Sequence, residues 1–316
     1  MKLTTSELRT YQRCREEHRW RYVRRMVPTA APSTALGLGT AIHAGLEVWW
    51  RTGSETPHLM LEAYARSARA VELDPYETVR GEVMLSRYHL QWRWEQSAYI
   101  VRGVEEAFAR PRTWGEFGGK LDALVETSVI PRQLLVVEHK TTSDEVTPGS
   151  DYWRKLSVDN QLANYLIASG ADGVLWDALR KPSLRPGRAT PVEQRRRRKD
   201  GALYAGQREE DEPLDDWRRR LEEAYDAEPG TWFGRQLIRR TSAELVTAGR
   251  HLDELASDAL RSYAAPEVSQ PRNQEACTRY GRPCDYQALC YGEQAVEDAV
   301  TSGRLRVLAD PHVELQ

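Results

Sequence analysis

The stretch FGGKLDALVETSVIPRQLLVVEHKTT, Phe117–Thr142, reads as two β-strands joined by a tight connection containing Pro131. The first strand, Phe117 to Glu126, opens on Gly118 and Gly119 and carries one acid, Asp122, among apolar neighbours. The second, Leu134 to Lys140, is a continuous apolar run of the kind buried on both faces, and it ends abruptly in charge. Alternation along a strand sends Glu138 and Lys140 to one side and Val137 and His139 to the other. Two carboxylates and a lysine thus gather at the rim of an apolar sheet. Burying such charge is costly unless something compensates it, and a divalent metal held between Asp122 and Glu138 would do so with Lys140 facing the same site. A salt-bridged Glu138–Lys140 pair at a strand end would produce the same pattern.

The chain of 316 residues is long enough for a full hydrophobic core, as one large or two modest domains. Apolar residues make up 40% and aromatics 9%, which excludes a disordered chain. With 45 Lys+Arg against 47 Asp+Glu the net charge is -2, so an interaction with nucleic acid must come from local patches. The start, MKLTTSELRTYQRCREEHRW, has no apolar core of a signal peptide, and no run approaches the ~20 apolar residues of a membrane span. A cytoplasmic protein without membrane contact is the expectation, and in a reducing compartment four cysteines point to metal or cluster ligation.

Thr4 and Glu7 form a T-x-x-E capping pattern that predicts a helix to about Val23. Residues 1–25 hold eight basic side chains against three acidic, interleaved with Tyr11, Trp20 and Tyr22. Such a helix suits a groove tracking a nucleic-acid backbone, and equally an amphipathic helix with a solvated basic face. Gly37 and Gly39 are read as preceding a helix that carries His43 and Glu47 on one face. Residues 55–110 read as two or three helices whose Trp and Tyr residues face the core, with Glu105 and Glu106 just ahead of the hairpin as further candidate carboxylates.

Beyond the hairpin, Ser157 is read as the cap of a helix stopped by Gly170, with Gln161 and Tyr165 on one face as Q-x-x-x-Y. A further strand is expected at Gly173–Leu179. Residues 180–199 carry nine basic residues against one acidic, and residues 200–216 one basic against seven acidic. These blocks suit a self-neutralising hairpin or a basic finger over a polyanion. A helix from Asp215, a short WFGRQLIRR strand and a helix from Thr241 to about Ala264 follow. Cys277, Cys284 and Cys290 then come as C-x6-C-x5-C, and with Cys14 they complete the cysteines. Zinc sites usually use a close C-x2-C pair, which is absent here.

In order, Cys14, G-x-x-x-His43, Asp122, Glu138-x-Lys140, Gln161-x-x-x-Tyr165 and the cysteine trio resemble the PD-(D/E)XK nucleases. The likeness is to the RecB-like subset with an iron–sulfur staple, as in the AddB and CRISPR-associated Cas-four exonuclease families. The chain departs from them in having Arg15 where proline commonly follows the first cysteine, and in the wide first gap of the trio. The resemblance implies an α/β, restriction-endonuclease-like fold, a mixed central sheet flanked by helices. Residues 31–264 would form the nuclease core, with a helical insertion at about 50–110 and a charged insertion at about 180–216. Residues 1–30 and 265–291 would join as a cluster region, and 292–316 would be an extension.

The resemblance further implies that His43, Asp122, Glu138 and the backbone carbonyl of His139 bind Mg2+ or Mn2+. Lys140 would assist the attacking water, and Gln161 and Tyr165 would support DNA. Cys14, Cys277, Cys284 and Cys290 would hold a 4Fe-4S cluster. The implied activity is a DNA exonuclease working at single-stranded ends, 5′ to 3′ being the commoner polarity in the family and the other staying open, alone, as a homo-oligomer or with a helicase or recombination partner. Two other readings stay open: a catalytically silent DNA-binding or scaffold subunit, and a zinc-stapled structure-specific endonuclease.

Overall fold

Each side of the 117–142 hairpin is flanked by further strands, so the hairpin forms the middle of a mixed sheet. A computed structural model describes residues 1–30, 34–279, 282–312 and 315. Parts of the Pro28–Leu38 loop and of the cysteine-rich stretch therefore lie outside the described residues. The chain opens with β1 (Lys2–Thr4), α1 (Thr5–Arg13), α2 (Arg15–His18), a π-turn over Arg19–Val23 and β2 (Met26–Pro28). Three helices follow, α3 (Thr34–Thr52), α4 (Pro57–Ala70) and α5 (Pro75–Trp92), then β3 (Tyr99–Arg112), β4 (Gly115–Thr127) and β5 (Leu134–Thr142). The crossover α6 (Asp151–Leu156) and α7 (Asn160–Ser169) leads to β6 (Gly173–Arg180), and α8 (Leu214–Ala227), β7 (Phe233–Ile238) and α9 (Ser242–Ala264) come next. The last part comprises α10 (Gln274–Cys277), β8 (Thr278–Arg279), β9 (Arg282–Pro283), α11 (Gln287–Cys290), α12 (Val296–Thr301) and β10 (Leu305–Val307).

The main sheet runs β1-β4-β5-β6-β7, with β3 on the other edge of β4. β4 pairs antiparallel with β5 from Glu126↔Leu134 to Ala123↔Val137. β1 pairs parallel with β4 at Glu116, Phe117 and Gly118. Because β3 lies along β4 over its full length, β5 and β1 must share the remaining edge. They leave between them a fork at residues 119–122 of β4. β5 and β6 are parallel, as the α6–α7 crossover requires, and β7 closes the far side antiparallel.

Apolar side chains fill both faces of this sheet. On one face Ala123, Val125, Leu135, Val137, Leu175 and Leu179 pack against α3, α4, α5 and α8, where Trp49, Trp50 and Trp217 are fully buried. On the other, Leu121, Val136, Val174 and Trp176 meet Trp153, Leu156, Leu162 and Leu166 of α6 and α7. Leu3 and Phe117 are covered by Leu8 and Tyr11 of α1 and by Leu252, Ala256 and Ala259 of α9. A separate small core joins Trp20 and Met26 to Tyr286, Leu289, Ala299 and Leu305. Each such large side chain taken fully out of water contributes about 1.5–3 kcal/mol, so the small core ties the beginning of the chain to its last quarter.

Several expectations are corrected. The first helix stops at Arg13: Cys14 is extended, with φ -159° and ψ 115°, and α2 restarts after it. Thr4 Oγ1 does cap α1, accepting from the Glu7 amide at 3.2 Å, whereas the Glu7 carboxylate is drawn to His18 Nε2 at 2.8 Å. Gly37 and Gly39 sit inside α3, which starts at Thr34. The helical insertion ends near Ala98, and residues 99–112 form β3, a long edge strand whose largely exposed, charged faces give no apolar alternation to read. α7 is capped by Asp159, whose Oδ1 accepts from the Gln161 amide at 2.7 Å, whereas Ser157 ends α6. Gly170, with φ 69°, stops α7 as expected. The charged insertion folds back on itself, with Arg188 on Asp211 at 2.9 Å and Arg197 on Glu209 at 2.5 Å. That favours the self-neutralising form.

Candidate metal and nucleic-acid site

The fork between β5 and β1 opens into a cavity of about 830 Å³, lined among others by Arg9, His43, Glu105, Asp122, Glu138, Lys140 and Gln161. Each element delivers its residue for a local reason. α3 crosses the mouth and brings His43 Nδ1 to 3.4 Å from Asp122 Oδ1. β5, having parted from β4 after Val137, carries Glu138 and Lys140 along the fork, and its His139 amide donates to Asp122 Oδ2 at 2.8 Å. α7 places Gln161 and Tyr165 one turn apart, both buried. Gln161 Nε2 donates to Glu138 Oε1 at 2.9 Å and to the Tyr165 hydroxyl at 2.6 Å. Lys140 Nζ pairs with the same Glu138 Oε1.

Glu105 enters from the far side of β4. It holds φ +55° in β3, a backbone conformation a side-chain-bearing residue adopts only at a cost of order 1–3 kcal/mol. Its neighbours Val104 and Glu106 pair with Ala123 and Leu121, so Glu105 stands opposite Asp122. Its carboxylate also pairs with Lys120 at 2.6 Å. Among the described residues, the group of three or more potential ligands drawn together within 4.8 Å is His43, Glu105 and Asp122.

The electrostatics fit a cation. Burial opposes ionisation of Asp122, but the charge and hydrogen bond of His43, with Lys140 beyond, outweigh it and hold the carboxyl well below the usual carboxylate range. For His43 burial disfavours charge, and Asp122 more than offsets it, so the imidazole sits above its ordinary value. Glu138 goes the other way: burial, only partly countered by Lys140 and reinforced by Asp122, pushes it up to about 7. Its Oε2 is buried without a hydrogen-bond partner. A buried acceptor without a hydrogen bond on a crowded carboxylate fits the role of a cation ligand.

Behind β5 lies a second polar layer. Trp50 Nε1 donates to His139 Nε2 at 2.8 Å, which leaves the ring proton on Nδ1, 2.9 Å from Asp177 Oδ2. Asp177, fully buried, also accepts from the Tyr88 hydroxyl at 2.6 Å and from Arg235 at 3.1 and 3.2 Å. Burial opposes its charge too, yet Arg235 and His139 hold it below the usual carboxylate range. His139 is thereby fixed on the face away from the cavity, as its strand position predicts, with its backbone turned to Asp122.

The cysteines occupy a different region. Cys14 is buried at the break between α1 and α2, and Cys277, Cys284 and Cys290 are partly buried. Asn273 Nδ2 donates to the Arg13 carbonyl at 2.9 Å, and Arg272 to that of Cys290 at 2.6 Å. Burial pushes the Cys284 and Cys290 thiols up to about 11, and Cys14 and Cys277 add to the shift at Cys290. The N-terminal cysteine and the trio are therefore within electrostatic reach of one another. Among the described residues, however, no three sulfurs lie within 4.8 Å.

The fork thus brings together His43, Asp122, Glu138, Lys140, Gln161 and Tyr165. It differs from the expected ligand set in two ways. Glu105, left undecided against Glu106, joins His43 and Asp122, and Glu138 Oε1 is already taken by Lys140 and Gln161. Sequence reasoning missed Arg9, whose Nη1 donates to Gln161 Oε1 at 2.8 Å across 152 residues, because nothing local to α1 signals that contact. No helix among the described residues is long and apolar enough to cross a membrane. A family model described as the PD-(D/E)XK nuclease superfamily matches residues 2–291. No curated protein sequence matches the chain.

Proposed function

The chain belongs to the PD-(D/E)XK nuclease superfamily, and from that premise we propose that it is a Mg2+- or Mn2+-dependent deoxyribonuclease acting at single-stranded DNA ends, 5′ to 3′. The observation that carries this reading is the gathering of His43, Glu105 and Asp122 within 4.8 Å beside the unpartnered Glu138 oxygen. His43, Glu105 and Asp122 would hold the cation, with Glu138 Oε2 and the His139 carbonyl as further donors; imidazole among carboxylates favours tolerance of Mn2+. The ion, when bound, supplies a water acidic enough to ionise near neutral pH and offsets charge on the phosphate.

The protein's own groups do the rest. Lys140 Nζ, held on a strand beside Glu138, presents a fixed positive charge where the phosphate gains negative charge. The Gln161 amide and Lys140 Nζ clamp Glu138 Oε1, which leaves Oε2 without a hydrogen bond, and Tyr165 steadies the Gln161 amide. The His139 amide holds Asp122 by occupying Oδ2.

For the cysteine region we propose a 4Fe-4S cluster held by Cys14, Cys277, Cys284 and Cys290. What supports it is the sequence: the trio lacks the close C-x2-C pair that zinc sites usually use, and four thiolates fit a 4Fe-4S core. Cluster binding would couple both chain regions to folding.

End-labelled DNA tests the activity. With 5′- and 3′-blocked strands in Mn2+, Mg2+ or EDTA, the expected result is metal-dependent shortening from a free 5′ end, slowed by about two to three orders of magnitude in Lys140→Ala. Undiminished degradation by Lys140→Ala, or none by the parent in either metal, would overturn it.

A further inference from the structure

Arg9 borders two cavities. One is the fork cavity; the other is a groove of about 580 Å³ lined by Arg9, Arg13, Asn273, Glu275 and Ala276, between α1 and α10. Its guanidinium ties the two together: Nη1 donates to Gln161 Oε1 at 2.8 Å and Nη2 to Asp159 Oδ2 at 2.9 Å, while its side chain stays 50% exposed. Because Gln161 Oε1 accepts from Arg9, the Gln161 amide must turn its Nε2 toward Glu138 and Tyr165. Arg9 is thus a positioning residue for the carboxylate clamp, and it also offers open cationic surface at the junction.

A polymer whose phosphate sits in the fork has to leave the cavity, and the basic junction leads along α1 into the groove. At the far end α10 finishes on Cys277, whose Sγ lies 3.9 Å from the hydroxyl of Tyr291, a ring 47% exposed and covered by Arg272 at 4.6 Å. An exposed aromatic with a guanidinium over it, following a cationic junction, is the combination that holds unpaired bases and their backbone. One acid, Glu275, lies in the groove and limits its affinity.

We propose that single-stranded DNA runs from the fork past Arg9 through this groove to Tyr291, making the cysteine-rich segment part of the strand path. The proposal rests on the nuclease reading above and adds a direction and a length: binding strengthens with each nucleotide beyond the fork until the groove is filled.

The test uses the full chain in EDTA, so that nothing is hydrolysed, and the fluorescence anisotropy of labelled oligothymidylates of three and twelve nucleotides. The twelve-mer is expected to bind at least tenfold tighter than the three-mer. Glu275→Lys should tighten the twelve-mer about fivefold and steepen its salt dependence by about 0.7 in log–log slope, leaving the three-mer unchanged. Arg9→Ala should weaken the twelve-mer, and Arg9→Lys should restore part of the loss. Equal affinities for the two lengths, or a Glu275→Lys protein no tighter on the twelve-mer than its parent, would overturn the strand path. Manganese-dependent hydrolysis of the same twelve-mer, assayed separately, tells failure of the path from failure of the nuclease reading.

Discussion

His139 and Asp122 are joined across the fork by a backbone-to-side-chain hydrogen bond of 2.8 Å, which replaces the strand pairing that β4 and β5 give up after Ala123↔Val137. One carboxylate oxygen is spent on holding β5 in place, and the other faces His43. Asp122→Asn keeps the shape but removes the charge that His43 and the cation need. DNA hydrolysis in Mn2+ should fall at least about a hundredfold, and titration calorimetry should register weakened Mn2+ binding with the fold intact by circular dichroism.

The pH response of the metal-free protein should follow Glu138. Its carboxyl is raised to about 7 in the fold, so its protonated form is the one the fold favours. That contribution is complete below the unfolded value of about 4.3 and is lost as the pH rises through about 7. In EDTA the melting temperature of the parent should therefore drop across this window relative to Glu138→Gln, which lacks the titration. Melting curves from pH 4 to 8 check it; parallel curves for the two proteins would contradict the assignment.

Asp177 holds His139, Tyr88 and Arg235 at once. Asp177→Asn would leave a guanidinium that is 4% exposed with Glu95 as its remaining charge partner, and losing one partner of a buried pair costs up to about 3–5 kcal/mol. Trp50→Phe deletes the donor to His139 Nε2 and also shrinks a fully buried ring, so it should cost about 2–3 kcal/mol. Urea unfolding measures both, and the milder variant should also lower the hydrolysis rate at unchanged KM, because the His139 backbone loses its anchor.

The cysteine proposal predicts a coloured protein. Cys290→Ser should bleach the visible absorbance, remove bound iron and lower the melting temperature, as its thiol lies against the small core of Trp20, Tyr286 and Leu289. Iron analysis beside absorbance checks this, and stoichiometric zinc in a colourless parent would contradict it.

The hairpin was legible because its two strands are buried enough to show in the pattern: Leu134–Val137 is an unbroken apolar run, and Asp122, Glu138 and Lys140 interrupt apolar surroundings. Gln161 and Tyr165 were legible as a helical pair. β3 was not, since an edge strand with exposed faces carries Arg102, Glu105, Glu106 and Arg110 where alternation would otherwise be seen. Glu105 was lost with it, because its place opposite Asp122 depends on strand pairing and on a left-handed backbone that no residue type announces. Arg9 escaped for a similar reason: its partners are more than a hundred residues away. The break at Cys14 has no proline or glycine to mark it.

The short parallel strand β1 fills the edge of β4 that β5 vacates, and the helix after it leans on α9. During synthesis the first two dozen residues therefore emerge from the ribosome well before their docking partners, one over a hundred residues later and the others after residue 240. A nascent chain must carry this basic, aromatic segment without its helical partner until α9 follows. Firm seating of α1 beside the fork is thus deferred until α9 has been made.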